Sequence, residues 1–110
     1  MEIGHKYIND ILVINLFGEL YCEQAMILEY QLQEFYANNK VIINCEELDY
    51  IDSKGLGILV KFKKLLSEKG GKLAICAVSG KVKKVFDLTH FETVIQVYET
   101  LKEAIEGFKE

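Results

Sequence analysis

Arginine, proline and tryptophan are all missing from this 110-residue chain. Its 13 basic side chains are therefore all lysine, and 17 acids leave a net charge of −4. Bidentate clamping of phosphates and readout of guanine edges favour the planar fork of arginine, so its absence argues against specific nucleic-acid binding. The acidic balance argues against non-specific binding as well. Without proline, every connection turns through Gly, Asn, Asp or Ser. No apolar run approaches the roughly 18 residues that span a bilayer, which excludes a transmembrane helix and argues against a membrane partner. The start, Met1-Glu2-Ile3-Gly4-His5, carries an acid early and lacks the basic-then-apolar order of a signal peptide, so a cytoplasmic protein is expected. Cys22, Cys45 and Cys76 are widely spaced and form no CxxC pair, and His5 and His90 are the only histidines. That pattern argues against a zinc site and a disulfide framework. The three thiols are expected to be small buried side chains in a reducing cytosol.

Half the residues are apolar and 27% are charged. This is enough apolar surface to offset the entropy of ordering the chain. The length suits a single domain over residues 1–110. Ile3 to Ile8 and Ile11 to Phe17 read as two strands joined by an Asn9-Asp10 turn. Tyr21 to Ala37 has helical spacing, with Ala25, Leu28, Leu32 and Phe35 on one stripe and Asn38-Asn39 as left-handed stop residues. Val41-Ile42-Ile43 reads as a buried parallel strand. Gly55 to Lys69 reads as a second helix ended by Gly70-Gly71. Leu73 to Val78 is another strand. Ser79 is placed to cap a third helix with Val82, Val85 and Phe86 inside and Lys81, Lys83 and Lys84 outside. Val94 to Tyr98 is a last strand, and Thr100-x-x-Glu103 is a capping box for a last helix. The expected order is ββαβαβαβα, an α/β fold with helices packed on a mixed, mainly parallel sheet of about five strands.

Ligands of such sheets gather where strand ends enter helices. Three loops do so here: Gly18 to Cys22, Asn44 to Ser53, and Val78 to Gly80. The middle one is the longest. Glu46, Glu47, Asp49 and Asp52 precede Ser53, and Gly55 and Gly57 follow in the first turn of a helix. Each glycine costs up to about 1 kcal/mol against alanine there, so each needs a reason. Gly57 is expected to let the helix lie close to the sheet. Gly55 is expected to clear space beside Ser53 for the backbone of another protein. Asp52 or Ser53 is the N-cap. A serine at this place is also suited to a phosphate switch, because a helix N-terminus tolerates the added charge.

The segment Tyr50-Ile51-Asp52-Ser53-Lys54-Gly55-Leu56-Gly57 resembles the serine loop of the STAS domain, as found in bacterial anti-sigma factor antagonists. Gly18-Glu19-Leu20, Gly70-Gly71-Lys72-Leu73 and Val85-Phe86-Asp87-Leu88-Thr89 resemble other segments of that family, so the likeness runs over nearly the whole chain. It implies that Ser53 is phosphorylated by an anti-sigma factor serine kinase. The unphosphorylated form binds that kinase and releases a sigma factor, and a phosphatase acting on phosphoserine resets the switch. It further implies a regulator of transcription without enzymatic activity, cofactor or metal, the ATP and magnesium being the kinase's. The implied contact edge comprises Glu19, Tyr21, Asn44, Asp52, Ser53, Lys54, Gly55, Leu56, Gly57, Ser79 and Gly80. Three positions depart from the family pattern. Tyr21 and Asn44 stand where aspartate is common, and Lys54 stands where a small residue is common.

Two other classes stay open on the residues alone. In a small-molecule or nucleotide sensor, Lys54 or the Lys81-Lys83-Lys84 cluster meets an anion. The chain has no phosphate-cradling glycine loop, however, since Val60 occupies the third glycine place after Gly55-x-Gly57. An enzyme needs a base near its nucleophile, and no histidine lies in the Ser53 loop.

Overall fold

The computed structural model describes residues 2–109. Strands β1 (Glu2–Ile8) and β2 (Ile11–Leu20) form an antiparallel hairpin whose turn places Asn9 at φ 58°, a conformation that asparagine tolerates. There follow α1 (Glu23–Leu32), β3 (Lys40–Asn44), β4 (Leu48–Ile51), α2 (Ser53–Glu68), β5 (Lys72–Cys76), α3 (Gly80–Thr89), β6 (Gln96–Tyr98) and α4 (Leu101–Gly107). The main sheet runs β1-β2-β3-β5-β6, and every pairing after the hairpin is parallel. The mixed, mainly parallel α/β sheet is therefore present, but with six strands in the order ββαββαβαβα. The additional strand, β4, lies inside the segment expected to be loop.

Alternation along the central strands divides the core between the two faces of the sheet. Leu12, Ile14 and Leu16 of β2, Val41 and Ile43 of β3, and Leu73 and Ile75 of β5 face one side. There they meet Ala25, Leu28 and Leu32 of α1, Leu59, Phe62 and Leu66 of α2, and Val82 and Phe86 of α3. Ile11, Val13, Ile42, Ala74 and Cys76 face the other side and pack on Ala104 and Phe108. A strand covered on both faces loses the polar positions of a half-buried strand, which is why β2 and β3 read as continuous apolar runs.

Several ends differ from the expected ones. The stripe from Ala25 to Phe35 is buried throughout, but the α-helix stops at Leu32 and the chain tightens into a 3-10 turn at Gln33–Phe35. Asn38 does not adopt a left-handed conformation; its side-chain N–H donates to the Phe35 carbonyl instead, at 3.2 Å. Gly70 does end α2 in a left-handed conformation. The N–H of Gly70 reaches the Ser67 carbonyl at 3.0 Å, and that of Gly71 reaches Leu66 at 2.7 Å. Ser79 occupies the N-cap place of α3 without a side-chain cap bond. Thr100 does cap α4, its hydroxyl accepting from the Glu103 N–H at 3.1 Å.

Candidate functional site

Strand β2 is long enough to change partners along its length. Leu12 to Asn15 pairs with β3, while Gly18 to Leu20 pairs with β4. Within the β2–β4 pairing the register shifts between Gly18 and Glu19, where Gly18 has φ 89°. The chain leaves β3 at Asn44 and makes a tight turn in which Leu48 N–H donates to the Cys45 carbonyl at 3.1 Å. It then adds β4 to the overhanging end of β2. Asp52 N–H closes the ladder on the Leu20 carbonyl at 3.2 Å, and α2 begins at the next residue. Pairing of β4 with β2 thus fixes where Ser53 emerges.

Asp52 is the N-cap of α2: its Oδ1 accepts from the Gly55 N–H at 3.0 Å. Ser53 is the first helical residue and is exposed, and its hydroxyl makes no hydrogen bond among the described residues. The close approach of helix and sheet expected at Gly57 is found at Gly55 instead. Gly55 is buried, and a Cβ on it would lie 2.8 Å from the Leu20 carbonyl oxygen, so it is Gly55 that seats the helix against the strands. Gly57 is exposed with nothing within 4 Å of a Cβ position. Residues four apart share a helix face. Gly57 therefore leaves a bare strip of backbone one turn beyond the Ser53 hydroxyl. Leu56, 6% exposed, also faces the core rather than the edge, while Lys54 is exposed.

The other expected contact residues fall into two groups. Glu19 and Tyr21 line a groove with Asp49, Tyr50 and Lys81. Asn44 and Ser79 line a separate depression with Glu46, Glu99 and Thr100, and Gly80 starts α3 beside it. Asn44 is pinned: it donates to Asn15 Oδ1 at 2.9 Å, while its own Oδ1 accepts from Glu46 N–H at 3.2 Å and from the Cys76 thiol at 3.7 Å. An uncharged amide serves this place because it both donates and accepts at the end of a parallel strand pair. Asp49, Tyr50 and Lys81 line the groove of Glu19 and Tyr21, although the contact residues implied by the resemblance do not include them. Tyr50 stands opposite Glu19 in the ladder, a relation that only the β2–β4 pairing creates.

The cysteines divide. Cys45 and Cys76 are buried, but Cys22 is exposed, contrary to expectation, because the turn into α1 gives it φ 49° and directs it to solvent. Burial pushes the Cys76 thiol up to about 12 and raises that of Cys45 as well, with Cys76 adding to the effect on Cys45. Neither buried thiol is a nucleophile in this state. Among the described residues no cluster of three or more His, Cys, Asp or Glu side chains is arranged to hold a metal ion. No helix among them is long and apolar enough to cross a membrane.

The sequence model of the STAS domain matches residues 4–104. The anti-sigma-B factor antagonist of Bacillus subtilis is 30% identical over 90 residues, covering 81% of this chain and 82% of that protein. The fold is similar to the crystal structure of a candidate anti-sigma factor antagonist from Thermotoga maritima. That similarity has a TM-score of 0.90 and 26% identity, over 98% of this chain and 95% of the other. It is also similar to the phosphorylated form of the Bacillus cell fate determinant SpoIIAA, with TM-score 0.72 and 23% identity, over 98% of this chain and 100% of the other.

Proposed function

The chain belongs to the STAS domain family of anti-sigma factor antagonists, and from that premise we propose that it is a cytoplasmic regulatory binding module switched at Ser53. Its partner is an anti-sigma factor with serine kinase activity. The unmodified chain binds that kinase and frees a sigma factor; transfer of a phosphate from ATP to the Ser53 hydroxyl ends binding, and a phosphatase restores it. The module itself catalyses nothing.

One observation carries this reading: Ser53 is exposed at the first position of α2 while Asp52 does the capping. The hydroxyl is thus free of structural duty and open to a kinase. A phosphate there adds about −1.5 to −2 charges. It sits at the positive end of a 16-residue helix, a place worth about 0.3–1 kcal/mol to an anion near the surface. The existence of a phosphorylated form of SpoIIAA, a fold relative, supports the same reading. The sensor alternative gains no support from the Lys81-Lys83-Lys84 cluster, whose members are all exposed and of which Lys83 is paired with Asp87 at 3.5 Å.

The test is incubation with a cognate anti-sigma kinase and ATP, followed by intact mass and a binding measurement. One added phosphate, lost in Ser53→Ala, together with release of the kinase on modification, is the expected result. Full phosphorylation of Ser53→Ala would refute the assignment.

A further inference from the structure

We propose that the groove between Tyr21 and Tyr50 receives a guanidinium group carried by the partner protein. The inference rests on the reading of this edge as the partner surface and adds the chemistry of the contact.

The rings of Tyr21 and Tyr50 meet edge to face, with centroids 5.7 Å apart and planes at 81°. Such a pair leaves ring face open beside the shared edge. Tyr50 is 37% exposed and lines an open groove with Tyr21, so the pair presents surface to solvent. Neither hydroxyl has a hydrogen-bond partner among the described residues, so packing and strand pairing hold the rings. Glu19 and Asp49 line the same groove, with Lys81 as the opposing cation. Exposed Glu46 and Glu47 and half-buried Asp52 belong to the same acidic loop. Aromatic faces flanked by an excess of carboxylate select a cation. A planar guanidinium lies on a ring and pairs with a carboxylate at once, whereas a compact ammonium does one or the other less well. The chain contains no arginine, so neither its own lysines nor a second copy supplies that group.

The experiment titrates the isotope-labelled chain with a blocked Gly-Arg-Gly-Arg-Gly peptide and with its lysine counterpart, following the ring signals of Tyr21 and Tyr50. The arginine peptide is expected to shift both rings and to bind several-fold more tightly than the lysine peptide. Tyr50→Ala lowers arginine-peptide affinity about fivefold, as loss of one exposed cation–π contact predicts, and Tyr50→Phe preserves it. Lys81→Gln strengthens binding by removing the competing charge. Unmoved rings, equal response to the two peptides, or a Tyr50→Phe loss equal to that of alanine overturns the inference. Phosphorylation of Ser53 by the kinase alongside unmoved rings would sink this contact and leave the switch standing; peptide binding without phosphorylation would do the reverse.

Discussion

Gly55 and Gly57 sit two residues apart in α2, yet alanine at the two positions is expected to move stability in opposite directions. At Gly55 a Cβ would lie 2.7 Å from Ile51 Cγ1, 2.8 Å from the Leu20 carbonyl oxygen and 2.9 Å from Leu20 Cγ. Side-chain carbons yield by small rotations. The carbonyl is held, because it accepts from Asp52 N–H and belongs to the strand pairing that carries the serine loop. Overpacking of this kind costs about 1–3 kcal/mol. Alanine recovers at most about 1 kcal/mol of helix propensity, and less in a first turn. The net loss is about 1–2 kcal/mol. At Gly57 there is nothing to displace, so the propensity gain remains, about 0.5–1 kcal/mol. Urea unfolding reads both. With a slope of about 1–3 kcal/mol per molar for a small domain, Gly55→Ala lowers the midpoint by roughly 1 M and Gly57→Ala raises it by a fraction of that. Under the proposed switch, binding separates them again: a methyl at Gly57, one turn from Ser53, is expected to weaken kinase binding while the fold gains. A Gly55→Ala protein as stable as its parent would refute the seating of α2 on Leu20.

Asp52→Ala removes the side-chain N-cap bond of α2 and is expected to cost about 1 kcal/mol, read as a lowered urea midpoint. In the native state Ellman's reagent should titrate Cys22 quickly, with Cys45 and Cys76 reacting only as the fold opens. Stability should also decline in alkali. Burial holds Cys45 and Cys76 protonated above the ordinary value of 9.0, so beyond that pH the unfolded chain binds fewer protons than the fold. The thiol contribution is full below pH 9 and fades towards about pH 12. Unfolding midpoints across that range check it, and Cys76→Ala should flatten the decline.

Periodicity made the frame legible because β2, β3 and β5 are buried on both faces and the helices carry regular stripes. Strand β4 escaped it for a physical reason. Its Leu48 and Ile51 are buried with Asp49 and Tyr50 exposed between them, a spacing of three that breaks strand alternation. It pairs across a register shift, which lets the strand depart from period two. The glycine roles were readable in principle: Gly55 falls in register with buried Leu59, Phe62 and Leu66, and Gly57 does not. Cys22 and Ala77 take positive φ values of 49° and 62°, which no residue preference foretells. Those conformations are set by how strand ends meet helices, and a single chain segment does not record that.

An acidic groove that takes a cation raises a question about how a phosphate would release the partner. Added negative charge at Ser53 should attract a basic surface, not repel it. Volume offers a way out of the conflict, and it can be tested against charge. Under the proposed switch, the partner backbone approaches the open surface at Gly57, which has nothing within 4 Å of a Cβ position, and a tetrahedral group on Ser53 one turn away is expected to obstruct it. Charge and bulk are separable by substitution: Ser53→Asp adds charge with little bulk, and Ser53→Gln adds bulk with none. Both are expected to leave the fold within about 1 kcal/mol, because the cap belongs to Asp52. If volume governs, Ser53→Gln weakens kinase binding at least as much as Ser53→Asp, and neither loss changes with salt. A loss confined to Ser53→Asp and erased by high salt would show that charge, and therefore an acidic partner face, does the releasing.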